Sequence, residues 1–334
     1  MFGGSGVEIV HTPVLLRECM EWLSPVGEAF EQSALMVDST LGEGGHTEAF
    51  LSAFSALRVI GVDADGAIQS RARERLARFG ERVRFFGGWF SDFYREFPAD
   101  AERPHIVLFD LGISVYHYEK SGRGFSFRYD EPLDMRLDTG KGVSAADVVN
   151  DTREDVLADM LYAYSDEKYS RRIARAIVEA RAGGRIASSK ALAEVVWNAV
   201  PAAYRHGAIH PATRTFQALR IAVNGELERL SAALHDAFSV LQPGGKMGVI
   251  TFHSLEDRIV KRYFRNLGQQ CVCPPGRAAC ACGGTPCANV LTRKPVEPSA
   301  REVRENPPSR SAKLRVIRKL RDATELHRAE YKGV

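Results

Sequence analysis

The chain of 334 residues lacks several features that would place it in a specialised class of protein. It contains no run of about 18 apolar residues, so we expect no span across a membrane. The first six residues contain no basic segment followed by an apolar one, which argues against a secretory signal. Hydrophobic residues (45%) and charged residues (26%) occur at ordinary globular frequencies, and the length suffices for about two domains. We therefore expect a globular cytoplasmic protein.

A strong excess of either charge is also absent. The formal net charge of +3 is too small to indicate a polyanionic partner by itself. The basic residues nevertheless form an insertion cluster and a C-terminal cluster. The insertion cluster is Lys168, Arg171, Arg172, Arg175, Arg181 and Arg185, and the C-terminal cluster is Arg301, Arg304, Arg310, Lys313, Arg315, Arg318, Lys319 and Arg321. Clusters of this kind favour a phosphate backbone as partner, although each could also be a solvated helix face.

Residues 36–63 have the pattern of a nucleotide-binding βαβ unit. A short apolar strand runs into a turn containing Gly42, Gly44 and Gly45, a helix follows, and a second strand ends at Asp63. Glycines let the backbone approach a ligand, and a carboxylate at that position accepts hydrogen bonds from ribose hydroxyls. Thr47 stands where the dinucleotide fingerprint needs a third glycine, which favours a ligand without a pyrophosphate, such as S-adenosylmethionine. The alternative is an ordinary βα turn.

The rest of the chain predicts an α/β fold with a doubly wound, Rossmann-like sheet. Further strands are expected at residues 83–86, 106–110, 244–252 and 312–317, with one long helix from Thr213 to Leu241. No strand is expected between Gly122 and about Pro211. We therefore predict a core of residues 8–121 and 213–334, interrupted by an all-helical insertion of residues 122–212. The insertion follows the strand that ends at Asp110, where it could cover or select a substrate. It could instead be a structural elaboration or the surface of a homodimer.

Eight short sequence motifs are distributed along nearly the whole chain. They are HTPVLL at 11–16, DSTLGEGGH at 38–46, DLG at 110–112, RGFSF at 123–127, PLDMR at 132–136, RRIARAI at 171–177, HPATRTFQALRI at 210–221 and FHSLEDR at 252–258. In these motifs the chain resembles the bacterial methyltransferases that modify cytosine N4 in 16S ribosomal RNA of the small subunit. The resemblance implies a class I methyltransferase core, S-adenosylmethionine as methyl donor, and a decoding-centre (P-site) cytidine as acceptor.

The same resemblance implies a set of residues that bind the methyl donor. They are Gly44, Gly45 and His46 on the turn, Asp63 at the ribose, Phe90 near the adenine, Asp110, and His117. The chain departs from the family at one of them, because His117 stands where the family has a glutamine that contacts the donor. An imidazole can still form one hydrogen bond there.

Transfer of a methyl group to a cytosine amine requires alignment and a hydrogen-bond acceptor for the N–H group. The lone pair of this nitrogen is delocalised into the ring, so it attacks only when it is held in line and polarised. Asp110 ends the fourth strand, and His253 and Asp257 follow the fifth, so we expect all three at one edge of the sheet. No covalent nucleophile is needed. The chain contains a Pro-Cys pair, Pro286-Cys287, of the kind found in cytosine-C5 methyltransferases. In those enzymes the pair follows the fourth strand, whereas here it lies beyond the fifth.

Five of the six cysteines fall in one segment, a cysteine-rich loop of residues 268–290. They are Cys271, Cys273, Cys280, Cys282 and Cys287. Four thiolates could hold a zinc ion and so fold a loop that has no core of its own. The spacing is C-x-C and not the commoner C-x₂-C, so a loop of free thiols is the alternative.

Two other classes of function are consistent with parts of the sequence. The βαβ unit and Asp63 would also suit a nicotinamide-dependent oxidoreductase, which the threonine at position 47 opposes. The basic clusters alone would suit a non-catalytic RNA-binding protein, which the complete donor-binding pattern opposes.

Overall fold

The computed structural model describes residues 12–25, 33–207, 209–276 and 279–328. His11 of the first motif and the remainder of both termini lie outside the described residues. Among the described helices, none is long and apolar enough to cross a membrane.

In the described part of the chain, seven strands form one mixed sheet. They are β1 (Ala34–Asp38), β2 (Leu57–Asp63), β3 (Val83–Gly87), β4 (Ile106–Asp110), β5 (Lys246–Thr251), β6 (Ala288–Val290) and β7 (Lys313–Lys319). Their order is β3-β2-β1-β4-β5-β7-β6. The strands β1 to β5 pair in parallel, and β7 inserts antiparallel between β5 and β6. This arrangement confirms the doubly wound, class I methyltransferase fold expected from the sequence. Sequence analysis missed only the short edge strand β6.

Helices cover both faces of the sheet because β1 and its neighbours are apolar on both sides. On one face lie α1 (Leu16–Leu23), α2 (Gly45–Ala53) and α3 (Gly66–Leu76), which pack against Met36 of β1. On the other face α4 (Phe90–Arg95), α12 (Glu226–Val240) and α13 (Ser254–Leu267) pack against Val37. Successive strand residues point to opposite faces, so both of these side chains are fully buried.

The segment between β4 and β5 is helical, as the sequence predicts. It contains α5 (Val115–Glu119), α6 (Ala145–Asp151), α7 (Glu154–Ser165), α8 (Ser170–Ala182), α9 (Ser189–Ala199), α10 (Ala202–Arg205) and α11 (Ala212–Asn224). These helices bury a hydrophobic cluster of their own, to which α11 contributes Phe216 and Leu219. The domain boundaries given above stay a prediction, and α11 is the element that joins the helical cluster to the core.

The single helix expected from Thr213 to Leu241 is wrong. The chain forms two helices, because Gly225 adopts a left-handed conformation (φ 58°) between α11 and α12. The preceding Asn224 receives a hydrogen bond from the backbone of Leu137 and donates one to the carbonyl of Met135, each at 2.9 Å. These long-range contacts place the break where the insertion meets the core, and helical periodicity alone does not reveal them.

Candidate active site

A cleft with about 1230 Å³ of empty space, including solvent at its mouth, lies at the carboxyl edge of the sheet. The ends of β1, β2 and β4 line it, together with the turns that follow them. The strands β2 and β4 flank β1, so the chain crosses to opposite sides of β1 at this point. Open α/β sheets bind their ligands at such switch points.

The glycine turn after β1 shapes one wall of the cleft. Gly42 and Gly44 have positive φ angles of 53° and 80°, which residues with a side chain rarely adopt. A Cβ atom on Gly45 would lie 2.5 Å from Cγ of Pro13, so the first motif packs directly on the turn. Gly45 lines the cleft, whereas Gly44 does not. The structure therefore places Gly44 as a residue that shapes the turn.

Asp63 lies at the end of β2 and lines the cleft. Its carboxylate accepts hydrogen bonds from the backbone of Gly42 and of Asp65, each at 2.8 Å. Burial raises the pKa of this carboxyl, and the two backbone donors counteract part of that rise. Each oxygen has taken one donor and has a lone pair left, so the group can still accept hydrogen bonds from a vicinal diol.

His117 also lines the cleft, but the Nε2 atom of its ring takes part in an ion-pair network. Its Nε2 lies 2.9 Å from Oδ2 of Asp65, and Arg123 donates to the same oxygen. Burial opposes ionisation of Asp65, yet hydrogen bonds from these two side chains bring its pKa well below the usual range. The buried Nδ1 of His117 has no hydrogen-bond partner among the described residues. That nitrogen therefore keeps its hydrogen-bonding capacity unused.

Sequence analysis missed Asp65, although a signal was present. A second acid follows Asp63 after one residue, and a helix starts immediately afterwards. The Asp65 side chain caps α3 by accepting a hydrogen bond from the backbone of Ala67 at 2.9 Å. Asp65 thus fixes the start of α3 and holds the ring of His117 at the cleft.

Asp110 is the carboxylate at the tip of β4, as expected, and it lines the cleft. Its Oδ2 lies 3.7 Å from Nδ1 of His46, whose Nε2 is 3.0 Å from the carbonyl oxygen of Val14. Burial raises the pKa of Asp110 to about 7, and the nearby carboxylates of Asp38 and Glu256 add to the rise. Near neutral pH this group therefore changes between a hydrogen-bond donor and an acceptor.

His253 does not line the cleft, whereas Glu256, which contacts it, does. The Oε1 atom of Glu256 lies 3.0 Å from Nε2 of His253, and its Oε2 accepts hydrogen bonds from the backbone of Phe252 and His253. Burial opposes ionisation of Glu256, but the charges of His253 and Arg220 lower its pKa below the ordinary value. Sequence analysis missed Glu256, which the capping position three residues into α13 could have indicated.

The structure does not bring Asp257 to the cleft. Both of its carboxylate oxygens accept hydrogen bonds from Arg315 of β7, at 2.7 and 3.0 Å. Consecutive residues of a helix point about 100° apart, and here Glu256 lines the cleft while Asp257 points to β7. In this structure Asp257 therefore belongs to an ion pair outside the cleft lining, and the catalytic role expected for it stays a prediction that this position does not support.

An aromatic wall completes the cleft. Phe90, expected near the adenine, lines the cleft together with Trp89. The ring of Phe90 packs edge to face against the ring of Phe109, with 5.5 Å between the ring centroids. Phe252 lines the opposite side and covers Gly112, where a Cβ atom would lie only 2.7 Å from the ring. Flat apolar surfaces on two sides suit planar ring systems.

The lining of the cleft is acidic. It includes Glu43, Asp63, Asp110, Glu226 and Glu256, and it includes neither lysine nor arginine among the described residues. Glu43 and Glu226 are paired with Arg71 and Arg220, which are not part of the lining. The remaining acids favour a ligand that carries positive charge over one that carries phosphates.

Comparison with known proteins decides the family. The model of the MraW methylase family matches residues 8–320, which is nearly the whole chain. The chain belongs to the MraW methylase family. It is therefore a methyltransferase, and neither the oxidoreductase nor the non-catalytic RNA-binding alternative holds.

Curated relatives agree with this assignment. A protein of Treponema denticola named ribosomal RNA small subunit methyltransferase H is 59% identical, over 93% of this chain and 98% of that protein. Proteins of the same name from Geobacter sulfurreducens and Treponema pallidum are 46% and 42% identical, each over 93% of this chain, covering 99% and 93% of those proteins. Among solved structures, an rRNA methylase from Streptococcus thermophilus is 11% identical over 87% of this chain and 89% of that chain, with a TM-score of 0.36. That similarity is too low to support any argument about function.

The insertion cluster is largely engaged within the insertion. Three of its arginines have acidic partners, in the pairs Arg171–Asp159, Arg175–Glu154 and Arg185–Asp147. Arg181 donates to the backbone carbonyls of Val149 and Thr152. Within the described residues, no ion pair forms at the exposed Arg172. The structure therefore leaves fewer free cations here than the sequence suggests.

The C-terminal cluster divides into structural and exposed members. Arg315 pairs with Asp257, and the fully buried Lys319 donates to the carbonyls of Phe238 and Ser239. The exposed Arg304 and Arg310 have no ion-pair partner among the described residues. Pro308 lines the cleft, and Arg310 lies two residues further along the chain. This part of the cluster is therefore exposed and close in sequence to a residue of the cleft lining.

Proposed function

We propose that this methyltransferase transfers the methyl group of S-adenosylmethionine to N4 of a decoding-centre (P-site) cytidine in 16S ribosomal RNA. The observation that carries the proposal is the position of Asp63 and Asp110 on either side of β1 in one acidic cleft. The family and the names of the relatives support the reaction and the ribosomal RNA. We propose further that it acts in the cytoplasm, on the RNA within the small ribosomal subunit.

The chemistry of the cleft fits the donor. Asp63 offers acceptors to the two ribose hydroxyls, and the wall formed by Trp89 and Phe90 offers apolar surface to the adenine. The unpartnered Nδ1 of His117 provides one further hydrogen bond, in place of the glutamine of the family. The acidic lining favours the positive charge of a sulfonium group. When bound, the donor supplies an electrophilic methyl group, which leaves sulfur as it bonds to N4 and leaves S-adenosylhomocysteine behind.

Asp110 is the group that we assign to the cytosine amine. Its ionised carboxylate accepts a hydrogen bond from the N–H group, which orients the nitrogen and raises its electron density. The same oxygen takes up the proton that N4 releases as the new bond forms. A pKa of about 7 suits both roles, since the group is ionised before the transfer and can hold the proton after it.

Glu256 and His253 are the next groups in line for the proton. Glu256 lines the cleft and lies 3.0 Å from Nε2 of His253, so a proton can pass from the cleft through Glu256 to the imidazole when that ring is in its neutral form. Phe252 at the same wall offers a ring on which the target base can stack, an interaction worth about 1–3 kcal/mol for each base. Placing a base there requires it to leave its own stack, as enzymes that act on bases require.

The decisive experiment is mapping of methylated cytidines in 16S ribosomal RNA by mass spectrometry, with and without the gene. We expect one N4-methylcytidine in the decoding centre to disappear on deletion and to return with the wild-type gene. Purified enzyme should methylate small subunits from the deletion strain, and naked 16S RNA serves as the control for the substrate state. Methyl groups on cytosine C5 or on a ribose oxygen would overturn the proposal. The homodimer that the sequence leaves open as an alternative role of the insertion stays untested, and light scattering of the purified protein tests it.

A further inference from the structure

Four of the five cysteines in the cysteine-rich loop converge on one point. The sulfur atoms of Cys271, Cys273, Cys280 and Cys282 all lie within 4.8 Å of one another. Three of the distances are 3.5 Å (Cys280 to Cys282), 3.6 Å (Cys282 to Cys271) and 4.0 Å (Cys271 to Cys280). A tetrahedral zinc ion with Zn–S bonds of about 2.3 Å requires sulfur atoms about 3.8 Å apart. The four thiols are therefore already spaced as ligands of one metal ion.

Cys287 does not belong to this set, contrary to the grouping by sequence alone. Its buried sulfur lies 3.4 Å from Nε2 of His327 and 3.6 Å from the carbonyl oxygen of Asp322. Its backbone N–H donates to the carbonyl of Leu267 at 2.8 Å. Cys287 thus closes the base of the loop, and the four other cysteines meet further out.

Backbone N–H groups point at the sulfur atoms. Val272 donates to Cys282 at 3.4 Å, and Ala281 donates to Cys273 at 3.3 Å. The N–H of Gly284 also bonds to Cys282, and that of Cys273 to Cys271. Gly284 has a φ angle of 65°, a conformation that favours glycine. N–H donors stabilise negative charge on sulfur, and the thiolate is the form that binds a metal.

The loop has almost no other means of folding. Among its described residues from 268 to 286, Cys282 alone is buried. Arg321 donates from its guanidinium to Thr285 and to the carbonyl of Cys282, which attaches one end of the loop to the sheet. A segment of this length that buries so little apolar surface needs a covalent or metal cross-link to hold one conformation.

We propose that Cys271, Cys273, Cys280 and Cys282 bind one structural zinc ion. Four thiolates close the coordination sphere, so the metal has no open position for a substrate and serves to fold the loop. Disulfides do not account for the arrangement, because an S–S bond of about 2.05 Å would join the sulfurs in pairs. The sulfurs are also too close together to surround a multi-iron cluster. The proposal does not depend on the methyl-transfer reaction.

Elemental analysis of the purified full-length protein tests the proposal. Protein produced in zinc-supplemented medium and freed of loose metal should contain about one zinc per chain. Cys273→Ser and Cys280→Ser should each retain less than about a tenth of that amount. Cys287→Ser, in the same loop but outside the cluster, is the matched control and should keep its zinc. Wild-type protein with less than about a tenth of an equivalent of zinc, or with iron in its place, would overturn the proposal.

Cobalt substitution supplies a readout that does not depend on methyltransferase activity. After removal of the native metal, one equivalent of Co²⁺ should produce the intense visible and thiolate charge-transfer bands of a tetrahedral tetrathiolate site. The bands should weaken in Cys271→Ser and persist in Cys287→Ser. Bands typical of octahedral oxygen ligation, or equal spectra in all variants, would contradict the assignment. Mass spectrometry of protein that is denatured with a chelator and alkylated without reductant gives a further check, since two of these four cysteines left unalkylated would mean a disulfide.

Discussion

Arg315 donates two hydrogen bonds to the carboxylate of Asp257, from Nε to Oδ1 at 2.7 Å and from a terminal nitrogen to Oδ2 at 3.0 Å. The two side chains are 7% and 15% exposed, so this nearly buried pair joins α13 to β7. A carboxylate held on both oxygens by a permanent cation is a poor acceptor for a released proton. The pair therefore separates the structural acid of the FHSLEDR motif from its neighbour Glu256 at the cleft.

The first prediction follows from this pair. Asp257→Asn should lower the free energy of unfolding by roughly 3–5 kcal/mol, because it leaves the charge of Arg315 buried without a partner. The saturated single-turnover rate should stay within about twofold of wild type. Urea unfolding and rapid-quench kinetics measure the two quantities.

The control for this variant is Glu305→Gln, which breaks the exposed pair of Arg301 and Glu305. Exposed pairs contribute about 0–1 kcal/mol, so its stability should hardly change. A stable but slow Asp257→Asn enzyme would return this residue to catalysis.

The second prediction concerns the ribose site. Asp63→Ala should weaken donor binding about ten- to a hundredfold, because the loss of a charge-assisted hydrogen bond costs about 1.5–3 kcal/mol. Isothermal calorimetry with S-adenosylmethionine measures the change. Asp92→Ala, which removes an acid of α4 outside the cleft lining, should bind the donor as wild type does. Equal affinity of the Asp63 variant and wild type would show that the ribose binds elsewhere.

The third prediction concerns the rate and its pH dependence. Since burial raises the pKa of Asp110 to about 7, the acceptor form increases as the pH rises from 6 to 8. The single-turnover rate at saturating donor and RNA should rise over that interval and then level off. Asp110→Asn should lower the plateau by about 10²–10⁴-fold and remove the pH dependence.

Donor affinity must be measured beside this rate, because Asp110 lines the same cleft as the donor residues. A variant with weak donor binding and a normal saturated rate would assign Asp110 to the cofactor. Glu256 and His253 would then be the remaining candidates for the proton.

The fourth prediction concerns the pH dependence of the free energy of unfolding, which follows from the same raised pKa of Asp110. The folded-state pKa of Asp110, about 7, lies above the ordinary value of 3.8, so the folded protein holds the proton more tightly than the unfolded chain. Its contribution to stability is therefore complete below about pH 4 and is lost as the pH rises to 7. Asp38, with a pKa raised to about 6 by burial, acts in the same direction.

Asp110→Asn cannot ionise, so it should match wild type near pH 4 and exceed it at pH 8. An advantage of roughly 2–4 kcal/mol is expected from a shift of about three pKa units at 1.36 kcal/mol each. Denaturant titrations at the two pH values measure it. An advantage that is already present at pH 4 would mean that the effect does not come from ionisation.

The fifth prediction concerns RNA. Replacement of Arg172, Arg304 and Arg310 by alanine should flatten the dependence of RNA affinity on salt, by about 0.7–0.9 in the log–log slope for each phosphate that the protein no longer neutralises. Donor affinity should not change. Arg58→Ala removes a half-buried arginine at the start of β2, where Arg58 pairs with Glu102, and should leave the slope as it is. An unchanged slope in the triple variant would show that these arginines form a solvated face.

The sequence determined the fold and the family because both are carried by local patterns. Apolar runs that end in Asp38, Asp63 and Asp110 are typical of strands buried on both faces of a parallel sheet, and the glycine turn marks its ligand edge. Position at a strand end was enough to place Asp63 and Asp110 in the cleft. The four cysteines of the proposed zinc site were visible as a group, because they lie within 12 residues of one another.

Only the tertiary structure decided which side chains face the ligand and which hold the fold together. Neighbouring residues of α13 point in different directions, so Glu256 lines the cleft while Asp257 turns to Arg315, 58 residues away. The two C-terminal cations Arg315 and Lys319 become buried because β7 lies inside the sheet, which their charge alone does not predict. Cys287 separates from the other cysteines for a similar reason, since its contact with His327 joins residues 40 positions apart. Contacts between distant segments depend on how the helices pack on the sheet, and no local pattern in the sequence records that packing.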